Sequence, residues 1–494
     1  MRPRNLAIAL LAASFFVNFA WSQGLPPGAV WSYTLVNGSL LLDDCPFCGR
    51  VSVPITLRGT FQLRFVQQGP LFSTYEMDNF LLTAQGNGRS YKLTGKGVFQ
   101  IGGEIATQQS VTLQLLIDDG LTNKLCYFTN GFSTVTRLWP MLQVSVDQTN
   151  GTLIQQYHLE IDAAPLREIW FSTSQSFQTG IWSPPTNQVG AGDLISWIGR
   201  EVKTDSQLIA RLGIQFAGTD LGLKDVDILP GAEIAFSLAQ SAFSSTHGML
   251  HPGDVVTDQG RVLRTNFSLI SAFVPADPLF PDYGLAALKL MTNGEVWFSI
   301  QTNFFSKALG RLVHSGDLLS DSGAFVRSSA QLLARFNPAN PTNDYGLNSV
   351  YVWPSGEIWF STSTGFLDAS SNYFAAGDLL SDQGYLVYSN SELLAAFMPS
   401  NVQSSLGLDA LYVITDVAAA VAPPQLANPQ TTNFPPFSLV ILLNATAGHV
   451  FQLERAATLE GPFLPVSPIS TETHLIDPGV LLQQPQSFYR VHQW

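Results

Sequence analysis

The sequence predicts an all-β protein of three modules: an N-terminal β-sandwich or barrel, a four-repeat β-propeller-like domain, and a small C-terminal β-sandwich. Three observations carry this expectation. First, the pentapeptide Glu168-Ile169-Trp170-Phe171-Ser172 returns as Glu233-Ile234-Ala235-Phe236-Ser237, Glu295-Val296-Trp297-Phe298-Ser299 and Glu357-Ile358-Trp359-Phe360-Ser361, a period of 62 to 65 residues. Self-similarity at a fixed period is the signature of a repeat fold. Second, the flanking regions carry short runs in which apolar and polar residues alternate between Gly- and Asn-rich turns, the pattern of half-buried strands. Third, 46% of the 494 residues are apolar, only 12% are charged, and 33 are Phe. That balance suits β packing and is the opposite of a disordered chain.

Length alone calls for roughly three domains. The net charge is −13 and is dispersed. No run of Lys or Arg exists, so no nucleic-acid partner is expected. Residues 1–22 read as a secretory signal: Arg2 and Arg4, an apolar run, then Ala20-Trp21-Ser22 as a small-x-small cleavage site. No later segment is apolar enough to span a membrane as a helix. The mature chain is therefore expected to be exported, and to be extracellular, on the cell surface or periplasmic.

The N-terminal module, residues 23–160, holds about eight alternating strands, including the runs 51–57, 59–66, 111–117 and 141–146. In it Cys45 and Cys48 form a C-x-x-C pair, expected to be a structural disulfide, with Cys126 left over as a further pairing candidate. A zinc site would need about four ligands and a redox motif a βαβ setting, and neither is present. Asp43-Asp44 beside Cys45 reads as a solvated loop.

Residues 161–416 are the array, and the third copy shows one repeat in full. Asp282-Tyr283-Gly284-Leu285 opens it and a first strand follows. Thr292-Asn293-Gly294 is a hairpin turn, since Asn-Gly accepts the positive φ of tight hairpins. Glu295–Ile300 is the second strand. Ser315-Gly316-Asp317 leads into the third, Ser320-Asp321-Ser322-Gly323 is another turn, and residues 324–327 are the fourth. Ser328 with Gln331 has the form of a capping box before a short helix. Four strands in this length is a blade with a small insert. A fifth opening strand, residues 406–413, has no Glu-x-Trp-Phe-Ser partner of its own, while the first copy lacks a good opening strand. The late strand is expected to complete the first blade and close a ring; the alternative is an open stack whose end this strand caps. Residues 417–436 are a linker, and residues 437–494 carry about five short strands.

The ending resembles the C-terminal module of exported proteins from verrucomicrobial-type bacteria through Phe451-Gln452-Leu453-Glu454, Thr458-Leu459-Glu460-Gly461-Pro462-Phe463, Asp477-Pro478 and Phe488-Tyr489-Arg490. The Asp-x-Gly-Leu, Gly-Glu-Ile-Trp-Phe-Ser and Gly-Asp-Leu-Leu-Ser-Asp repeats are similar to arrays in such proteins. The resemblance implies export and a cell-envelope or extracellular setting. It implies no activity.

The residues themselves name no activity either. Gly-x-Ser-x-Gly, His-Glu-x-x-His and phosphate-loop motifs are absent, and no catalytic residue can be assigned. Glu168, Glu233, Glu295 and Glu357 are candidates for a ligand-binding collar around a ring axis, with Trp170, Trp297 and Trp359 as stacking surfaces for a sugar. Against that, Ala235 breaks the set, and a strand of this pattern is expected to pack between blades. Asp254, Asp258, Asp317, Asp321, Asp378 and Asp382 stand in pairs four residues apart, which suits calcium. Asp is also what such turns prefer for backbone reasons alone. No other cofactor is expected. The residues unique to one copy are His247, His251, His314, Trp197 and Arg200. The favoured reading is a non-enzymatic exported protein that binds or scaffolds a protein or glycan surface. A hydrolase of glycans or lactones at the ring axis and a calcium-dependent carbohydrate-binding protein are the alternatives.

Overall fold

The computed structural model describes residues 29–494 apart from 50–51, 87, 105, 181–186, 215–219, 230–232, 278, 280, 401–404, 418–424, 427–429, 434–435, 444–449, 460–462 and 479–486. The expected signal peptide lies outside the described residues, as does much of the linker.

Ten strands build the N-terminal module: β1 (Val30–Leu35), β2 (Leu40–Asp44), β3 (Ile55–Gln68), β4 (Phe72–Gly86), β5 (Arg89–Gly102), β6 (Gln108–Asp118), β7 (Asn123–Thr129), β8 (Ser133–Thr134), β9 (Leu142–Gln148) and β10 (Gln156–Ala164). The antiparallel pairings run β3-β4-β5-β6-β7-β9-β10, and β1 and β2 both pair with β10 on one side and β3 on the other. The sheet therefore closes on itself as a barrel, which removes the unpaired edges an open sandwich would carry. The alternating apolar positions of the long strands point mainly inward and fill the interior with aromatic rings. Tyr33, Phe61 and Phe80 stack at centroid separations of 5.3 and 5.1 Å. Trp139 lies against Trp31, Tyr75 and Phe99. Closure needs sharp bends in the long strands, and glycine supplies them. A Cβ at Gly59 (φ +132°) would stand 2.1 Å from the Leu81 carbonyl oxygen. Cys45 and Cys48 are disulfide-bonded, and Cys126 is free and buried inside the barrel.

The array folds into four four-stranded antiparallel sheets. Blade 2 is Leu223–Leu229, Glu233–Leu238, Val255–Thr257 and Val262–Arg264. Blade 3 is Leu288–Leu290, Val296–Phe298, Leu318–Ser320 and Phe325–Arg327. Blade 4 is Ser349–Val352, Ile358–Ser361, Leu379–Ser381 and Tyr385–Tyr388. Blade 1 takes Leu166–Ser172, Leu194–Ser196 and Arg200–Lys203 from the start of the array and its innermost strand, Ala410–Thr415, from the end. The four innermost strands neighbour one another cyclically, so the sheets form a propeller-like ring. Each blade ends in a short helix with a complete capping box, at Thr204/Gln207, Thr265/Ser268, Ser328/Gln331 and Ser389/Glu392.

The C-terminal module is two small sheets. Pro436–Leu443 pairs with Gln425–Leu426, Gln430–Asn433 and His474–Asp477, and Phe451–Ala456 pairs with Leu464–Pro465 and Phe488–Gln493. Val440, Leu442, Phe451, Leu453, Leu475 and Val491 form the core they share.

Direct contacts hold the modules together. The barrel meets blade 4 where the Tyr388 hydroxyl donates to the Leu35 carbonyl at 2.7 Å and Arg58 pairs with Glu392. All three modules meet at Asp416, whose side chain is 4% exposed. Its carboxylate accepts from the Ser32 amide at 2.6 Å, from Arg167 Nε at 3.0 Å and from the Trp494 indole at 2.6 Å. Barrel, blade 1 and the last residue of the chain thus share one acceptor. Asp416→Ala strands these three donors together, and unsatisfied donors to a charged group are expensive. The expected loss is about 3 kcal/mol, read as a lower denaturation midpoint, with limited proteolysis releasing the C-terminal module sooner than in the parent.

Candidate functional site at the ring axis

The opening strands of the repeats bring one residue per blade to the axis at each level, and the levels are chemically different. At the first level stand Lys224, Ala286, Asn348 and Asp409; at the second Asp225, Ala287, Ser349 and Ala410; two residues further on, Asp227, Lys289, Tyr351 and Tyr412. No level carries more than one aspartate or more than one lysine.

Asp225 occupies the centre. Its side chain has no exposure, its φ is +21°, and the ladder slips at this point between Lys224 and Val226. Such a bulge re-aims a side chain, here toward the axis. The carboxylate accepts one backbone N–H from the inner strand of every blade: Oδ1 from Val226 at 2.8 Å and Leu411 at 3.0 Å, Oδ2 from Leu288 at 2.6 Å and Val350 at 3.0 Å. Burial pushes its pKa well up, and the four N–H groups pull the other way. With donors aimed at both oxygens from four directions, no acceptor is left for an acid proton, so the geometry is that of a carboxylate.

Above and below it the axis is plugged by ion pairs. On one side Lys224 pairs with Asp409, which also accepts from the Asn348 amide at 2.8 Å. On the other, Lys289 Nζ lies 3.0 Å from Asp227 and over the rings of Tyr351 and Tyr412 at 5.5 and 6.0 Å. Burial first, and then Asp227, push both tyrosine pKa values up. Each lysine has a carboxylate partner, Asp409 for Lys224 and Asp227 for Lys289.

The sequence-nominated residues lie elsewhere. Glu168, Glu233, Glu295 and Glu357 sit one strand out from the axis and do not converge. Glu168, Glu295 and Glu357 each accept from the indole two residues on, Trp170, Trp297 and Trp359, at 3.0, 3.2 and 2.9 Å. Glu357 also takes the Ser381 and Tyr385 hydroxyls, and Glu295 the Ser320 hydroxyl. In blade 2, where Ala235 replaces Trp, Glu233 instead holds Thr257 and Arg261. The serine of the motif stitches blades: Ser172, Ser299 and Ser361 donate to the Leu223, Leu347 and Leu408 carbonyls of the following inner strand at 3.0, 2.7 and 2.7 Å.

The paired aspartates are likewise engaged, by backbone N–H groups and, at Asp258, also by Lys203 at 2.8 Å. Asp254, Asp317 and Asp378 each accept from the turn before them and from the first helical N–H, at Asn266, Ser329 and Asn390. Asp193 does the same in blade 1. Asp258, Asp321 and Asp382 accept from Ile234, Val296 and Ile358 at 3.0, 3.0 and 3.1 Å. Among the described residues no three His, Cys, Asp or Glu side chains group as a metal site. Of the unique residues, His247 is exposed and reaches the Gly260 carbonyl, Arg200 bridges Glu168 to the Ile469 carbonyl, and Trp197 meets Tyr388 edge-on. Sequence reasoning missed Asp225, Asp227, Lys289 and Asp409. The signal was present in the mismatch Lys224-Asp225, Ala286-Ala287, Asn348-Ser349, Asp409-Ala410 after each Gly-Leu.

No family model and no curated protein matches this sequence. Among solved structures, the extracellular domain of a one-component system from B. thetaiotaomicron is similar at 9% identity over 93% of this chain and 82% of that one, with a TM-score of 0.20. PorZ, a bacterial surface component of the type-IX secretion system of Porphyromonas gingivalis, is similar at 11% identity over 87% and 74%, with a TM-score of 0.16. Scores this low transfer neither fold nor function. No helix among the described residues is long and apolar enough to cross a membrane.

Two expectations follow for the ring. Asp225→Ala leaves four buried N–H groups without an acceptor and should cost about 3 kcal/mol or more, seen as a large fall in thermal midpoint. Asp225→Asn, which turns an NH2 toward two of the donors, should rescue little of it. The second concerns Asp205, which stands where blades 2 and 4 have Asn266 and Asn390. The Asn390 amide donates to the Gly377 and Gly407 carbonyls; a carboxylate cannot. Burial, then the Asp220 charge, raise the Asp205 pKa to about 7, against about 4 for a free Asp. The folded state then binds this proton more tightly than the unfolded state, so the penalty is absent below about pH 4, grows as pH rises, and is complete above about pH 7. Asp205→Asn should therefore melt near the parent at pH 4 and progressively above it toward pH 8, by scanning calorimetry across the series.

Proposed function

We propose that this chain is an exported, non-enzymatic binding or scaffolding protein in which the ring is a rigid hub holding the barrel and the C-terminal module in fixed positions. One observation carries the proposal: the repeated Glu, Trp and Ser and the turn aspartates spend most of their polar groups on one another and on the backbone, and the axis is filled by Asp225 and the ion pairs flanking it. A ring of this kind positions its neighbours and leaves contact with partners to surfaces outside the axis. The signal-like N-terminus, the Cys45–Cys48 disulfide and the resemblance of the repeats and ending to exported arrays support the setting.

The test is a turnover screen of the purified mature chain on glycosides and lactones, run beside a chelator titration followed by thermal unfolding. No turnover and an unchanged midpoint with chelator are expected. Turnover that disappears on Lys224→Ala or Lys289→Ala would overturn the proposal in favour of hydrolysis at the axis. A chelator-induced fall in midpoint would overturn it in favour of a calcium-dependent protein.

A further inference from the structure

The outer face of the barrel gathers solvent-facing polar side chains that no other protein group bonds. Its outer wall across β3–β7 is hollowed into a groove of about 520 Å³. The hollow has a local cause. Inward-facing positions of β5 run Tyr91, Leu93, Gly95, Gly97, Phe99, so two successive positions lack a side chain where the wall bends toward the core. A Cβ at Gly95 would lie 2.1 Å from the Gln114 carbonyl oxygen, and one at Gly97 would lie 2.5 Å from the Leu113 side chain. Glycine in a strand interior otherwise weakens the sheet, and it marks bends and close approaches.

The register lays out the groove. Lys96, Gln114 and Tyr127 form one rung across β5, β6 and β7; Arg64, Glu76, Val98 and Thr112 form the next across β3 to β6. Arg64 is paired with Glu76 and, at 3.1 Å, with Asp78. With Lys96, two positive and two negative side chains balance, so the groove favours neither an anion nor a cation. β5 and β6 are paired on both sides, so an extended peptide has no free edge to join. Among the described residues, Lys96 Nζ, the Gln114 amide, the Thr112 hydroxyl and the Tyr127 hydroxyl have no hydrogen-bond partner in the protein. Tyr127 is 42% exposed, and its backbone N–H is held by Asn150 at 3.0 Å. A half-exposed aromatic ring beside solvent-facing donors and acceptors in a charge-balanced hollow matches a flat ligand with one apolar face and many hydroxyls.

We infer that this groove is a binding site for neutral oligosaccharide, with a sugar ring stacked on Tyr127 and its hydroxyls bonded to Gln114, Lys96 and Thr112. The inference rests on the reading of the chain as a binding protein and gives that reading a site and a ligand class. The full mature chain would be screened on an array of neutral gluco-, manno- and xylo-oligosaccharides and the best ligand titrated by calorimetry, with and without chelator. Chelator-independent binding is expected, weakened about ten-fold or more by Tyr127→Ala and several-fold by Gln114→Ala. Leu121→Ala, on the β6–β7 loop outside the groove, should leave it unchanged. The thermal midpoints of the variants serve as the folding control. Oligosaccharide binding indifferent to Tyr127→Ala and Gln114→Ala would overturn the site while leaving the binding-protein reading standing. A flat array, or retention of acidic glycans or peptides only, would overturn the ligand class.

Discussion

A carboxylate with no access to water, accepting one N–H from each of four strands, is the constraint on which the ring depends. Inner strands of neighbouring blades do not pair as a sheet, so the backbone groups they turn toward the axis need another acceptor or stay unsatisfied. Asp225 supplies it for all four at once, and supplies it to strands separated by more than a hundred residues of chain. Because Ala410–Thr415 is both the innermost strand of blade 1 and one of the four donors, through Leu411, the same interaction records that the ring has closed. Closure then fixes the place of Asp416, directly after that strand, and so the place of the barrel and the C-terminal module, which meet at its carboxylate.

The repeated pentapeptide is the complement of that central bond. In each Trp-bearing copy the Glu binds the indole on its own face, the Ile or Val and the Phe enter the blade core, and the Ser reaches the next blade. Blade 2 shows that the unit is adaptable. Without the indole, Glu233 turns to Thr257 and to Arg261, whose bidentate hold keeps the Glu233 pKa below the usual carboxylate range even though burial works against it. The motif is thus a device for holding a carboxylate at the same place in each blade, buried in three of the four, and its tryptophans belong to the space between sheets.

Much of this fold was legible in the sequence because the relevant forces are local or periodic. Asn293-Gly294 can only be a turn, Ser328 and Gln331 can only cap, and the period places every strand. The unmatched strand before Asp416 foretold its partner in blade 1. What period and pattern do not encode is which of several satisfied or unsatisfied states a polar side chain reaches. Asp317 and Asp321 have the spacing of cation ligands, yet the turn and helix N–H groups that occupy Asp317 become neighbours only when the blade is folded. The choice between sandwich and barrel was likewise beyond the pattern, since it turns on whether β9 and β10 reach β1 and β2. The groove on the barrel is a consequence of Gly95 and Gly97 facing inward, and a glycine in an alternating strand does not say which way the wall will bend.

Asymmetry in a repeat array is commonly taken to mark a functional site, and the axis shows a second cause. Four equivalent aspartates at the level of Asp225 would bring four buried charges within contact of one another, which no arrangement of N–H donors could offset. One aspartate with Ala287, Ser349 and Ala410 fills the same space and needs only the donors that are already there. The neighbouring levels obey the same rule: one lysine to one aspartate at each, with Asn348 and Ala286 or Tyr351 and Tyr412 making up the layer. A closed ring must therefore break its own repeat wherever a charge reaches the axis. The residues that differ most between the copies are the ones that hold them together, and a surface for partners is to be sought where polar groups remain unspent.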